Sequence, residues 1–517
     1  MACEDQIYSN EFYDFILQLD LPGQEIPAGY CNQPVDSLYS ILYAAREGLP
    51  PLNISNYTYS VIPKCFIPVD QTALEVSGIL KVQNQPTLSL MGQGILIGFV
   101  DTGIAYTNPV FQNSDKTTRI AAIWDQTIPG RPPEGFLYGT EYVQSEINEA
   151  LSSENPLETV PSTDEDGHGT FVAGVAAGSV DYANNFSGAA PQTTIAVVKL
   201  KPAKQYLKDY YFIAEDAVVY AENDIMTGVY YLKNLARKLN MPLALCVAMG
   251  TSMGSHGGTG HLANYLDYVA IRTGNVVTAA AGNEANTRHH YSGQLDAETR
   301  TDSVEVNVEQ GVRGFAAELW VRAPELYTIA VTSPSGESVP KMQPYSGNSA
   351  TYRFIFEETV VSIDYRTIGA RTGDQLIYIR FDRPTRGIWT IQVYGVNFLG
   401  KDYHIWLPMR EMMSGEVFFI RSNPDTTITA PANGQILITV GAYDARDGSL
   451  YINSGRGYTI DGRVKPDFTA PGVNVYGPAV RGGYQIRSGT SISAAITAGA
   501  GALFLEWAIL YQNLPGI

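Results

Sequence analysis

Cysteine is scarce. The 517-residue chain holds four, Cys3, Cys31, Cys65 and Cys246, and none stands in the paired spacing of a zinc site. The six histidines do not cluster with cysteines or carboxylates, so no metal is expected. His289-His290, following Arg288 in a polar stretch, reads as a surface pair. Cys246 lies in an apolar run and reads as a buried small hydrophobe. Long apolar runs are missing too. No stretch reaches eighteen residues, and no transmembrane span is expected. The opening Met1-Ala2-Cys3-Glu4-Asp5-Gln6 is acidic and lacks the apolar segment of a secretory signal. Reduced thiols and a cytoplasmic location are the corresponding expectations. Positive charge is short as well: 34 Lys and Arg stand against 52 Asp and Glu, a formal charge of −18. That balance argues against nucleic acid and anionic membrane as partners and favours solubility.

What is present is a large globular composition, 45% hydrophobic with 49 glycines, long enough for two or three domains. One stretch organises the rest: Arg487-Ser488-Gly489-Thr490-Ser491-Ile492-Ser493-Ala494-Ala495-Ile496-Thr497-Ala498-Gly499. A Gly-Thr-Ser turn runs straight into a small-residue helix. Such a turn can present a hydroxyl where free backbone N–H groups and the helix dipole favour a developing oxyanion. Read alone, the pattern more often reflects tight packing at a helix start. Two upstream stretches change that reading. Gly94 to Ile104 is an apolar strand ending in Asp101-Thr102-Gly103. Asp166-Gly167-His168-Gly169-Thr170 opens another small-residue helix that runs to Gly178. The chain order is Asp, His, Ser.

From Ile95 onward, strand patterns at Ile95–Val100, Thr194–Lys199, Leu243–Ala248 and Asn275–Ala281 are apolar on both faces. This is the mark of parallel strands covered by helices. Helical spacing between them, notably over Tyr210–Leu239, predicts an α/β doubly wound sheet. Ala248-Met249-Gly250-Thr251 follows one strand as a Gly-rich segment. Ala279-Ala280-Ala281-Gly282-Asn283-Glu284 follows another. Residues 300 to 420 change character: about eight short alternating runs separated by turns predict an inserted all-β sandwich or jelly roll. The runs are Ser303–Val308, Ala316–Val321, Leu326–Thr332, Tyr352–Phe356, Val360–Tyr365, Gln375–Phe381, Gly387–Tyr394 and His404–Pro408. The core resumes at Ile436–Ala442, followed by Lys465-Pro466-Asp467-Phe468-Thr469-Ala470-Pro471-Gly472. Before the core, Glu11–Leu21 and Tyr57–Cys65 read as strands and Asp36–Glu47 as a helix. Gln71–Ile79 reads as the first core helix.

On the Asp-Thr-Gly, Gly-His-Gly and Gly-Thr-Ser motifs, in that order, the chain resembles the subtilisin-like serine proteases (subtilases). The likeness covers residues 70 to 517 well and the first 70 poorly. It implies a serine endopeptidase with Asp101, His168 and Ser491 as the catalytic triad and Asn283 as oxyanion donor. It also implies that Ala248, Met249, Gly250 and Thr251 pair with the substrate backbone. No cofactor is required, and the partner is a protein or peptide. The loop from Gly178 to Pro191 looks shorter than the calcium-binding version of many subtilases, so no calcium is expected. Ala495 stands where most subtilases have Pro, which removes no catalytic group. The implied divisions are 1–70, a propeptide-like β-α-β segment; 71–298, the first part of the catalytic domain; 299–422, the inserted β domain; and 423–517, the second part. The alternative for the first segment is a permanently attached arm. The insert resembles that of the Csp-type subtilases of spore-forming clostridia. That likeness implies a spore-associated protease that activates the zymogen of a cortex-degrading hydrolase, while the propeptide-like start implies that the N-terminal segment is cleaved off. The competing reading is a pseudoprotease that keeps the fold for binding or sensing. Another makes the insert a ligand or carbohydrate binder.

Overall fold

The structure is a computed structural model that describes residues 11–18, 31–34, 39–50, 72–368, 373–397 and 402–511. The chain divides into two compact units, Met1–Pro68 and Val69–Ile517. In the first, three antiparallel strands form a sheet, with Tyr39–Ala45 between Phe12–Gln18 and Cys31–Pro34. The helix expected over Asp36–Glu47 is therefore a strand. Its apolar residues satisfy helical spacing and strand alternation equally, and pairing on both edges, Phe12↔Ala45 and Cys31↔Tyr43, decides the outcome. The β-α-β pattern does not occur among the described residues, and the strand expected at Tyr57–Cys65 lies outside them. Cys31 is disulfide-bonded, against the expectation of reduced thiols.

The second unit is built on an eight-stranded sheet. Across it run Phe468–Pro471, Ile438–Tyr443, Asn275–Ala280, Leu243–Val247, Leu96–Asp101, Thr194–Lys199, Ile120–Asp125 and Thr140–Val143. All neighbours are parallel except the edge strand Thr140–Val143. Leu96–Asp101 is buried along its whole length, as is Leu243–Val247, because helices cover both faces of the sheet. One face packs on the helices His168–Ala177 and Thr490–Leu505, the other on Glu222–Leu239 and His261–Ala270. The helix expected over Tyr210–Leu239 is two, Gln205–Tyr211 and Glu222–Leu239. The break begins at Phe212, whose φ of 55° ends the first helix, and Ile213 then bridges to Met413. The first core helix is likewise split, Thr72–Val76 and Ile79–Gln83, by left-handed Gly78.

Between Asn275–Ala280 and Ile438–Tyr443 the chain leaves to build the β insert. A six-stranded and a five-stranded antiparallel sheet share one core that includes Val306, Phe315, Leu319, Ile329, Ile363, Ile379, Trp389 and Ile405. The alternation read from the sequence supplies these inward residues. One expected strand is displaced: Ser349–Arg353 forms it, and Ile355 and Phe356 stand 83% and 80% exposed in the following turn. The Thr490–Leu510 helix is long and apolar enough to cross a membrane, but 72% of its apolar window is buried in the fold. It serves here as a core helix.

Candidate active site

Parallel strands of an open α/β sheet present their functional residues at their carboxyl ends. Three such ends lie side by side here. Asp101 closes Leu96–Asp101, Ala248 follows Leu243–Val247, and Asn283 follows Asn275–Ala280. His168 and Ser491 occupy the first turns of the two small-residue helices packed on the same sheet. Glycines make the approach possible. Gly167 caps the His168 helix at φ 81°, a left-handed conformation that side-chain-bearing residues resist. A Cβ on Gly169 would lie 2.2 Å from the Gly103 carbonyl, so the two motif backbones touch.

His168 Nδ1 lies 2.7 Å from Asp101 Oδ1, and the same oxygen accepts the Thr102 N–H at 2.7 Å. Asp101 is buried, with 2% of its side chain exposed against 28% for His168. Burial pulls the His168 imidazole down, but the charge and hydrogen bond of Asp101, with the charge of Asp166, outweigh it. The net shift is upward from 6.5. Asn283 Oδ1 accepts from the Thr490 N–H at 3.1 Å and from Thr490 Oγ1 at 3.2 Å. A backbone N–H can only donate, so the amide oxygen must face Thr490. Nδ2 makes no hydrogen bond among the described residues and lies beside Gly489. Ser491 Oγ donates to the Ala248 carbonyl at 3.3 Å and makes no hydrogen bond to His168. Met249 and Gly250 make no backbone hydrogen bonds among the described residues, whereas Thr251 exchanges two with Ala430, at 2.9 Å each. Met249-Gly250 is thus an open edge, suited to a peptide added as a strand.

The sequence reading missed the residues that hold these together. Asp164, 1% exposed, accepts from Thr102 Oγ1 (2.7 Å), Gly167 N–H (2.9 Å), Thr170 N–H (2.8 Å) and Thr170 Oγ1 (2.6 Å). Thr102 Oγ1 accepts in turn from the Gly169 N–H at 2.9 Å. One carboxylate therefore ties the Asp101 turn to the His168 helix. Thr490 likewise ties the Ser491 turn to Asn283, and its hydroxyl accepts the Gly282 N–H at 3.1 Å. Arg487 joins the two halves, donating to the Asp166 carbonyl at 3.3 Å. The only sequence signal for Asp164 is its place four residues before His168.

His289 and His290 are not a surface pair; they are 3% and 2% exposed. His290 sits in strand His290–Gln294 opposite Trp406, and its Nε2 lies 2.9 Å from His404 Nδ1. Their polar neighbours in sequence conceal that they stand at the root of the insert. Glu284, next to Asn283, is buried, and burial with the nearby Glu411 charge pushes its carboxyl up to about 7. Around Asn184-Asn185, Asp181 is taken up by Tyr484, Asn184 and backbone N–H groups. No group of three or more His, Cys, Asp or Glu among the described residues is arranged to hold a metal ion.

Compared with known proteins, the chain matches the family model described as "Subtilase family" over residues 92–363 and 413–512. It is 22% identical over 444 residues to the C5a peptidase of Streptococcus pyogenes, which is 82% of this chain and 36% of that protein. It is 36% identical over 106 residues to the serine protease AprX of Bacillus subtilis, 16% of this chain and 24% of that protein. Among solved structures it is similar to the CspB protease of Clostridium perfringens. The TM-score is 0.74 and the identity 29%, over 85% of this chain and 89% of that one. The chain spans about a third of the length of the C5a peptidases it matches. With most of its core under one family model and its fold shared with a protease of that kind, the chain belongs to the subtilase family.

Proposed function

We propose that the protein is a serine endopeptidase in which Ser491 attacks the peptide carbonyl and forms an acyl-enzyme. His168 takes the hydroxyl proton and delivers it to the leaving amine, and Asp101 holds the imidazole tautomer and stabilises the imidazolium. Asn283 Nδ2 and the Ser491 N–H receive the oxyanion. Water then hydrolyses the ester with His168 as base. The observation that carries this reading is the 2.7 Å contact between His168 and a buried Asp101, beside an amide whose donor end is left free by Thr490. For attack, the Ser491 hydroxyl leaves the Ala248 carbonyl for Nε2 of His168.

The substrate is a protein chain bound as a strand along the Met249-Gly250 edge of Ala248–Thr251, the backbone groups of Thr251 being taken by Ala430, with no role for nucleic acid or membrane. The likeness to Csp-type proteases supports a zymogen, a spore cortex hydrolase, as target, and action in the cytoplasm or the spore. The likeness of residues 1–70 to a subtilase propeptide supports removal of that segment. The second reading is a pseudoprotease, favoured by Ser491 bonding Ala248 instead of His168. A fluorophosphonate separates the two. Covalent labelling of wild type that vanishes in Ser491→Ala is expected; equal labelling of both, or of neither, rejects Ser491 as the nucleophile.

A further inference from the structure

The segment that leaves the substrate edge is rich in glycine, Gly250, Gly254, Gly257 and Gly258, and has little stiffness of its own. Restraints on its first half come from the β insert, whereas its far end is held by the core: Asn433 Nδ2 donates to the Ser255 carbonyl at 2.9 Å, Arg463 to the Gly257 carbonyl at 2.9 Å and the Ile460 N–H to the His256 carbonyl at 3.4 Å. Ser252 Oγ donates to the Leu407 carbonyl at 2.8 Å. The Gly254 N–H donates to Glu318 Oε2 at 2.8 Å, and the same oxygen accepts Trp320 Nε1 at 2.9 Å. The His256 ring stacks on Trp406 at 3.6 Å and 7°, and its Nε2 donates to the Ser252 carbonyl at 3.0 Å. Glu318 and Trp406 are cross-strand partners, on Gly314–Val321 and Asp402–Trp406. Ser252, His256 and Glu318 are each at most 5% exposed.

We propose that the inserted β domain sets the position of the substrate-binding segment Ala248–Thr251, with Glu318 as the positioning residue and Ser252 as a second tie. The inference rests on the peptidase reading, which gives this segment a peptide to bind. On the upstream side Leu243–Val247 fixes the segment through the central sheet. On the downstream side, between the Thr251–Ala430 pair and the core contacts of the Ser255, His256 and Gly257 carbonyls, the Ser252 hydroxyl, the Gly254 N–H and the His256 ring run to the insert. Glu318 touches neither substrate nor the reacting atoms. Removing its acceptor leaves two N–H groups without a partner and frees Gly254 to move. The open backbone groups of Met249 and Gly250 then lose their alignment with an extended peptide, while Ser491, His168 and Asn283 keep theirs.

The test compares Glu318→Leu with Glu318→Gln, whose amide oxygen can replace Oε2 and keep both donors. With a pool of internally quenched octapeptides, Glu318→Leu is expected to raise KM about tenfold with kcat nearly unchanged, the loss of one well-placed hydrogen bond's worth of binding. Glu318→Gln should restore the wild-type KM. Labelling of Ser491 by a small fluorophosphonate, which needs no extended edge, should proceed at the same rate in all three. Labelling that falls in step with hydrolysis, or a KM unmoved by Glu318→Leu, overturns the proposal. Amide hydrogen exchange over residues 249–254 gives a readout that does not depend on turnover. Faster exchange in Glu318→Leu alone supports the proposal, and equal exchange in all three overturns it even in a chain that cleaves nothing. If Glu318→Leu does not fold, Ser252→Ala removes a single tie and carries the same comparisons, with a smaller rise in KM.

Discussion

Asn283 has two chemically different ends, and its neighbours use only one. Thr490 engages the oxygen through a backbone N–H and a hydroxyl, so the donor end is aimed without being consumed. Asn283→Leu should therefore lower kcat by about 10²–10³ with little change in KM, the magnitude found for the equivalent donor in subtilisin. Steady-state kinetics on one peptide substrate checks it; a rise in KM at constant kcat would mean that the amide binds ground state and transition state alike. The site also carries two upward-shifted groups with different consequences. In the proposed mechanism His168 must be neutral to accept the Ser491 proton. Because Asp101 favours its charged form, the acid limb of kcat/KM should fall at a pH above 6.5. Protonated His168 contributes stability below 6.5 that fades as pH rises through its folded pKa. Glu284 is shifted from 4.5 to about 7. Its neutral form likewise supports the fold below pH 4.5, and this support is lost as pH rises through about 7. Glu284→Gln should raise Tm at pH 8 relative to wild type and change little at pH 5, as thermal melts at the two pH values would show. The residues that read clearly from sequence each sit in a short glycine-bearing motif, Asp101 and Asn283 at the ends of strands and His168 and Ser491 at the starts of helices. Asp164, Thr490 and Glu318 did not. Each acts by touching stretches distant in the chain, and nothing local marks a carboxylate or hydroxyl that will later be surrounded by donors.

The two helices that carry His168 and Ser491 consist largely of Gly, Ala, Val, Thr and Ser, and small side chains bring them close to their surroundings. Gly174 is a clear case: a Cβ there would lie 2.1 Å from Pro478 Cγ. Gly174→Ala should cost about 1–3 kcal/mol by overpacking, although Ala is the better helix former. A lowered urea midpoint would register it, and an unchanged midpoint would show that the Pro478 turn yields freely. Elements with an unambiguous period were legible. The five parallel strands that were expected appear within a residue or two of their bounds, whereas Ile120–Asp125 and Phe468–Pro471 were not expected; the insert strands follow their alternation. Errors occurred where a run satisfied two periods, as at Tyr39–Ala45. They also occurred where a turn carried strand-forming residues, as at Ile355-Phe356, whose amides are held by the Glu337 carboxylate.

For the molecule as a whole, the reading of a removable N-terminal segment makes a mass prediction. Intramolecular cleavage gains from high effective concentration. Cleavage is expected between Pro68 and Ala73, upstream of or within the Thr72–Val76 helix. Intact mass spectrometry of wild type and Ser491→Ala from one host should show the segment lost only in the wild type. Two full-length products would make the segment a lasting part of the fold or assign its removal to another protease.

The two ends of the insert are fastened to each other: the Asn423 N–H donates to the His290 carbonyl at 2.8 Å, and the Leu407 N–H to that of His289 at 2.9 Å. The strands flanking this excursion, Asn275–Ala280 and Ile438–Tyr443, are direct neighbours in the central sheet. Closing a loop costs entropy that grows with the length of flexible chain between its ends. An insert that folds first removes its own length from that term, because the growing sheet then meets a short closed corner in place of a long open chain. The expected order of folding is the β domain first and the pairing of Ile438–Tyr443 with Asn275–Ala280 after it, and pulsed amide exchange that finds this pairing protected before the insert would overturn it. Proteolytic competence would then arrive late in folding, when the surfaces it could attack on its own chain are already packed.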